Sequence, residues 1–149
     1  MNNGNQVLFL KVNSDRPDFR VIGDFIWGEH HSIDSDGDSY NPATRKWTEL
    51  YIGSREIENE YIEIIPLTTE PLILQIQSPN PETAIQVTLF LSEETKGIIF
   101  MDEELATSMP FDDLAQRTDF TKYQLRRERA NSSIWRQSTL DNPYPNLMK

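Results

Sequence analysis

Short runs in which apolar and polar residues alternate fill the first two thirds of the chain. A period of two is the period of a β-strand, because successive side chains of a strand point to opposite faces of its sheet. The clearest run is Tyr61-Ile62-Glu63-Ile64-Ile65, and turn-forming residues such as Ser78-Pro79-Asn80-Pro81 separate the runs. We therefore predict strands at residues 7–12, 19–27, 47–52, 61–67, 72–77, 85–91 and 98–101.

The spacing of these runs indicates the fold class. No long helix is predicted between them, so the pattern favours an antiparallel all-β fold over an alternation of strands and helices. Pro66 and Pro71 lie at the ends of predicted strands, where a missing N–H does not break a hydrogen-bond ladder. With 149 residues the chain is long enough for one domain with a single core. We expect a β-sandwich of about seven antiparallel strands.

Helical signals appear only in the last third of the chain. Pro110, followed by Asp112 and Asp113, is typical of a first helical turn and predicts a short helix near residue 110. A second helix is predicted over residues 118–137, with Asp119 as its N-cap and a break at Asn131-Ser132-Ser133. The prolines at 143 and 145 predict an extended tail over residues 141–149.

Charge divides the chain into two parts. Residues 1–114 hold 7 Lys/Arg and 21 Asp/Glu, a net charge of −14, whereas residues 115–149 hold 7 Lys/Arg and 3 Asp/Glu, a net charge of +4. Together with the change of pattern, this predicts an acidic sandwich over residues 1–105 and a basic helical and extended segment over residues 106–149. The acidic part argues against nucleic-acid binding, which depends on clustered Lys and Arg.

The basic segment is the first candidate for a binding site. Its arginines are interleaved with aromatic residues, and both kinds of residue are enriched at the energetic centres of protein interfaces. The alternative is a helix that packs on the acidic part of the chain, with its charges neutralised within the molecule. The candidate partner-binding residues are Tyr123, Arg126, Arg127, Arg129, Trp135 and Tyr144.

The acidic stretch of residues 29–40 is the second candidate site. Asp34, Asp36 and Asp38 stand at alternate positions, and carboxylates in a loop can bind calcium. The calcium-loop template fails, however, because Ser39 and Arg45 occupy the places of its glycine and its bidentate glutamate. Asp36-Gly37 is instead a strong turn signal, so we favour a turn and keep a cation site at the three aspartates as the alternative.

Two histidines, His30 and His31, stand beside this stretch and are the only histidines of the chain. Any imidazole catalysis must use them, but no residue that would orient either ring is recognisable in the sequence. We therefore expect them to lie at a strand end. A metal-dependent enzyme or calcium-binding module that uses Glu29, the histidines and the aspartate loop is the second hypothesis for function.

The leading hypothesis is a non-enzymatic interaction module. The six glycines form no phosphate-binding loop, so no nucleotide cofactor is expected, and we predict no other cofactor. An adaptor, regulator or inhibitor whose acidic face attracts a basic target enzyme fits the charge distribution.

The longest apolar run near the start, Val7-Leu8-Phe9-Leu10, is too short to span a membrane, and we expect a cytoplasmic location. Homo-oligomerisation through an exposed edge strand is a further alternative.

Overall fold

A computed structural model describes residues 6–37 and 42–147. Its strands are β1 (Gln6–Lys11), β2 (Ile33–Gly37), β3 (Leu50–Ser54), β4 (Tyr61–Thr69), β5 (Leu72–Ser78), β6 (Ile98–Phe100) and β7 (Ser108–Met109). Its α-helices are α1 (Phe19–Trp27), α2 (Pro81–Thr95), α3 (Phe111–Ala115) and α4 (Phe120–Asn131), and short 3₁₀ turns follow at Ile134–Gln137 and Pro145–Leu147. The seven strands form one sheet in the order β2-β3-β4-β5-β1-β6-β7, and all neighbours are antiparallel.

The side chains on one face of this sheet form part of the hydrophobic core. Alternate residues of the central strands are completely buried there and lie opposite one another across the ladders, as Leu8 lies opposite Ile76 and Ile76 opposite Ile64. Helix α2 packs against β1, β5 and β6, and Phe90 of α2 stacks on Phe25 of α1. We call the side of the sheet covered by helices the inner face and the opposite side the outer face.

Helix α1 corrects the strand predicted over residues 19–27. The Asp18 carboxylate caps it by accepting a hydrogen bond from the Arg20 amide, and Phe19, Ile22 and Ile26 recur with helical spacing. Arg20 and Asp24, four residues apart, lie on one side of α1 and were the sequence signal for a helix, but almost every residue of α1 is buried, so this polar side is not a solvent-exposed face. The period-two match at residues 19, 21, 25 and 27 was therefore misleading.

Helix α2 corrects the strand predicted over residues 85–91. The Asn80 side chain accepts from the amides of Glu82 and Thr83, and Pro81 stands in the first turn, so residues predicted to form a turn are a helix start. Thr88, a β-branched residue of the predicted strand, fits into the helix because its hydroxyl group bonds to the helix backbone. Thr88 donates its hydroxyl to the carbonyl of Ala84 over 2.8 Å, which satisfies the buried oxygen.

The antiparallel sheet of seven strands is confirmed, but its membership differs from the prediction. β1, β3, β4, β5 and β6 overlap predicted strands, whereas β2 and β7 were not predicted, and the turn placed at Asp34 to Asn41 is an edge strand as far as Gly37. The remaining residues of that turn, 38–41, lie outside the described part of the chain. A sandwich is not confirmed, because the strands of the described residues belong to one sheet and helices form the layer against it.

The C-terminal segment contributes to the same core as the sheet. Helix α3 confirms the helix near residue 110, and α4 confirms the second one, with the Asp119 carboxylate accepting from the Lys122 amide over 3.1 Å. Leu114 and Tyr123 are completely buried in the core cluster. The tail is not wholly extended, since residues 145–147 form a 3₁₀ turn. The division at residue 105 stays a prediction.

No helix within residues 6–37 and 42–147 is long and apolar enough to cross a membrane. The cytoplasmic location stays a prediction.

Candidate functional site

The basic residues of α4 and the following turn face acidic residues of α2. Lys122 Nζ lies 2.6 Å from Glu82 Oε1, and Arg127 Nη1 lies 3.1 Å from Glu93 Oε1. Arg136 forms a third ion pair, with Glu94. The hydrogen bond to Glu93 raises the pKa of Arg127. These contacts match the alternative in which the charges of the segment are neutralised within the molecule.

Two of the six candidate partner-binding residues are buried between α4 and the core. Tyr123 is completely buried, and its hydroxyl donates a hydrogen bond to Glu93. Burial raises its pKa, and the neighbouring Glu93 carboxylate acts in the same direction. Arg126 is 8% exposed and donates to Gln86 Oε1 over 2.9 Å, and burial lowers its pKa. Neither side chain presents its polar group to solvent.

Arg129 is directed at the end of α1. Its Nη2 donates to the main-chain oxygens of Phe25, over 2.8 Å, and Ile26, over 3.1 Å. The last carbonyls of a helix lack partners within the helix and carry partial negative charge, so a guanidinium there satisfies two acceptors and complements the helix dipole. Arg129 therefore fastens α4 to α1.

Trp135 and Tyr144 meet around Arg20. The guanidinium carbon of Arg20 lies 4.0 Å from the centroid of the Trp135 ring and 5.4 Å from that of Tyr144. Arg20 also forms a bidentate pair with the buried Asp18, over 3.0 and 2.6 Å, and donates to the carbonyl of Pro143. The two aromatic residues thus help hold the tail on α1. The structure does not place them with the α4 arginines, and a partner-binding role of the six residues stays a prediction.

The described residues of the acidic stretch 29–40 are not arranged as ligands of a metal ion. Asp34 and Asp36 lie on the edge strand β2, where Asp34 pairs with Arg55 over 2.6 Å, and Asp38 lies outside the described residues. Within the described residues, no group of three or more His, Asp or Glu side chains is placed to hold a metal ion. A cation site at the three aspartates stays a prediction.

The two histidines have different surroundings. The His31 ring stacks on Trp27, with 5.2 Å between the ring centroids, and its Nε2 lies 2.7 Å from Ser54 Oγ. Nδ1 of the same ring lies 3.3 Å from Glu56. His30 is exposed and adopts a left-handed conformation, with a φ of 68°. His31 therefore fixes the start of β2 against the β3–β4 turn.

The outer face of the sheet is a further candidate surface; the sequence predicts an acidic face that attracts a basic target but does not identify the residues that form it. Side chains on this face alternate with the buried ones, and Asp36, Tyr51, Glu63 and Gln77 lie opposite one another in one row across β2 to β5. Tyr51 is 36% exposed, and its ring lies 5.5 Å from that of Tyr61. A groove of about 320 Å³ runs along this row, lined by Asp36, Glu49, Tyr51, Glu63 and Ile65 among others.

Acidic residues also border the opposite edge of the sheet. Residues 97–116, which contain β6, β7 and α3, hold five acidic residues and no Lys, Arg or His. All five are exposed: Asp102, Glu103, Glu104, Asp112 and Asp113. On the outer face next to them, Ile98 is 41% exposed, whereas Phe9 and Ile73, nearer the middle, are buried. The outer face therefore carries apolar and aromatic residues, with Asp36 and Glu49 towards its β2 edge.

Comparison with models of protein families, with curated proteins and with solved structures found no match to this chain. The outer face, the fastened C-terminal segment and the cavities of the molecule are the features from which its function is inferred.

Proposed function

We propose that this protein is a non-enzymatic interaction module that binds a basic protein through the outer face of its sheet. The observation that carries the proposal is the contrast between two surfaces. Lys122, Arg127 and Arg136 of the basic segment are paired with carboxylates of α2, and Arg129 is bonded to the end of α1. On the outer face, by contrast, Asp36 and Tyr51 are exposed and Glu63 and Ile65 are partly exposed. A partner would cover the exposed residues on this side of the sheet.

The side chains of the outer face suit a protein contact. Tyrosine provides a large contact area with little loss of conformational freedom, and a hydroxyl that can hydrogen-bond at the rim. Tyr51 and Tyr61 lie side by side, and Ile65 lies further along β4 on the same face. An apolar and aromatic centre with a polar border is the usual composition of a protein interface.

Charge indicates the kind of partner. The chain carries a net charge of −10, and residues 97–116 at one edge of the sheet contain no cation. A basic protein would be attracted to this surface and orient on it before contact, and salt would slow its association. A second copy of this chain is a poorer occupant, because the two acidic faces would repel each other.

The C-terminal segment is the alternative contact. Of the six residues predicted to bind a partner, Tyr123 and Arg126 are buried. Arg129 and Tyr144 are exposed and Arg127 and Trp135 are partly exposed, but Arg129 is bonded to the end of α1 and Trp135 packs on Arg20. A partner on this side would compete with Glu93 for Arg127. The proposal therefore ranks the outer face first, and the experiment separates the two surfaces.

The test compares capture of basic proteins from an extract of the source organism by matched variants. Tyr51→Ala and Glu63→Lys alter the outer face, and Asp141→Lys makes the same charge change as Glu63→Lys on the C-terminal tail. A specific partner should be retained by the wild type and Asp141→Lys, and its Kd should weaken about tenfold or more in both outer-face variants. Equal retention by all variants, or loss in Arg127→Glu and Tyr144→Ala alone, would contradict the proposal.

A further inference from the structure

A cavity of about 560 Å³ opens between the end of α1 and helix α4, apart from the outer face of the sheet. Its lining includes Asp24, Glu29, Leu125, Glu128, Arg129 and Ser133. The volume lies within the range of small-molecule sites, which is roughly 300–1,000 Å³. Neither the core nor the proposed contact on the outer face accounts for this cavity.

Asp24 lies at the inner wall of the cavity. Its residue surface is 9% exposed, and Oδ2 accepts a hydrogen bond of 2.7 Å from Ser133 Oγ. Among the ion pairs of the described residues, none involves Asp24. Burial raises the pKa of this carboxyl, and the hydrogen bond from Ser133 and the positive charge of Arg129, which act in the opposite direction, offset this effect only in part. A cation bound in direct contact with Asp24 would offset the remaining cost of burying its charge.

The rest of the lining also favours a cation with an alkyl chain. Glu29 and Glu128 add two carboxylates, and the single guanidinium of the lining, Arg129, is held on the carbonyl oxygens of Phe25 and Ile26. Three carboxylates and one guanidinium give the lining a formal charge of −2. Leu125, which is 59% exposed, provides an apolar wall on which methylene groups can pack.

We propose that this cavity binds an organic cation, an alkylammonium or alkylguanidinium group, with its charged head against Asp24 and its alkyl chain against Leu125. A metal ion fits the site less well, because no three carboxylate or histidine groups among residues 6–37 and 42–147 are placed to ligate one ion. An organic cation is larger than a metal ion and can contact separated carboxylates. The inference is independent of the proposed protein contact, since the two sites share no residues.

Titration of the isotope-labelled full-length protein with butylammonium, ethylguanidinium and the neutral analogue butanol tests the proposal. Both cations should shift the backbone amide NMR signals of residues 24–29 and 125–133, and butanol should not at the same concentration. No shift at these residues, or equal shifts with butanol, would overturn the proposal. Sodium chloride at matched ionic strength controls for general charge screening.

Variants identify the carboxylates responsible. Asp24→Asn should weaken the Kd for butylammonium about tenfold, the effect of losing one charge-assisted hydrogen bond. Glu128→Gln, an exposed change that leaves the fold intact, should weaken it by a smaller factor, and Asp113→Asn on α3 should leave it unchanged. Unchanged binding in both Asp24→Asn and Glu128→Gln would overturn the assignment.

A capped peptide with one central lysine separates the two sources of such a cation. If the cavity takes a side chain of another protein, this peptide should produce the same shifts as butylammonium. If the natural ligand is a small amine, the free amine should bind and the peptide should not. Both results support the proposed cation chemistry, whereas failure of both probes contradicts it.

Discussion

Arg129 Nη2 donates a hydrogen bond of 2.8 Å to the main-chain oxygen of Phe25, and this contact joins helix α4 to the end of helix α1. The same arrangement recurs along the segment, where basic side chains are matched by the acidic residues of α2. The arginines that stand out in the sequence as a binding cluster thus fasten the C-terminal segment to its own domain. We therefore propose the outer face of the sheet as the contact surface for a partner.

Arg129 and Arg127 should therefore differ in their effect on stability, although they are two positions apart on the same helix. Arg129→Ala removes two hydrogen bonds to partly buried carbonyls and should lower the free energy of unfolding by about 1–2 kcal/mol. Arg127→Ala removes a partly exposed ion pair and should change it by about 0.5 kcal/mol or less. Urea denaturation measures both, and equal effects would contradict the fastening role of Arg129.

Arg20 should be among the most sensitive positions outside the apolar core. Arg20→Met leaves the completely buried Asp18 without its bidentate partner and should lower the free energy of unfolding by about 3 kcal/mol. Arg55→Met, which breaks the exposed pair with Asp34, is the matched control and should change it by about 0.5 kcal/mol or less. If Asp18→Asn is added to Arg20→Met, part of the loss should be recovered. A small effect of Arg20→Met in urea denaturation would show that Asp18 does not depend on Arg20.

Asp24 should make stability depend on pH. Because burial raises its pKa above the ordinary value of 3.8, the folded protein binds the proton of this group more tightly than the unfolded chain does. The stability contributed by Asp24 therefore increases as pH falls through the raised pKa towards 3.8, and is lost as pH rises again. Asp24→Asn should raise the melting temperature at neutral pH, and the gain should shrink towards pH 3.8.

Thermal denaturation at several pH values measures this effect, with the exposed Asp141→Asn as the control. A lower melting temperature of Asp24→Asn at neutral pH would mean that the fold stabilises the ionised carboxylate, contrary to the account of its burial.

A chain that ends at Ala115 should not fold to the native state. It lacks Tyr123 and Ala130, which are completely buried in the core, and Arg129 at the end of α1. Near-ultraviolet circular dichroism and urea denaturation should show loss of fixed packing and of a cooperative transition. Cooperative unfolding of the shortened chain would support a domain division at residue 105, with the later residues as an appendage.

The strands were predictable from the sequence where apolar and polar residues alternate strictly. β4 and β5 carry buried residues at every second position, so their period of two is unambiguous. Helices α1 and α2 were not predictable in the same way, because both are buried on several sides and short apolar runs fit either period. The polar caps Asp18 and Asn80 were the signals present in the sequence, and Asn80 was interpreted as part of a turn.

The misassigned helix also hid the partners of the arginines. Glu82, Gln86 and Glu93 lie on one face of α2, because separations of four and seven residues return a side chain to the same side of a helix. This face meets Lys122, Arg126 and Arg127 of α4. With residues 85–91 predicted as a strand, Glu82, Gln86 and Glu93 showed no common face. The paired residues of α2 and α4 are about forty positions apart in the sequence, so their contacts become visible only in the tertiary structure.

The most direct test of the central claim is an NMR titration of the labelled full-length protein with a basic peptide of alternating lysine and valine. The account predicts shifts of the amide signals of β3 and β4, including Tyr51, Tyr61 and Glu63, with an affinity that falls as salt is raised. Shifts confined to α4 and the tail, or no shifts on the sheet, would contradict the assignment of the outer face as the contact surface.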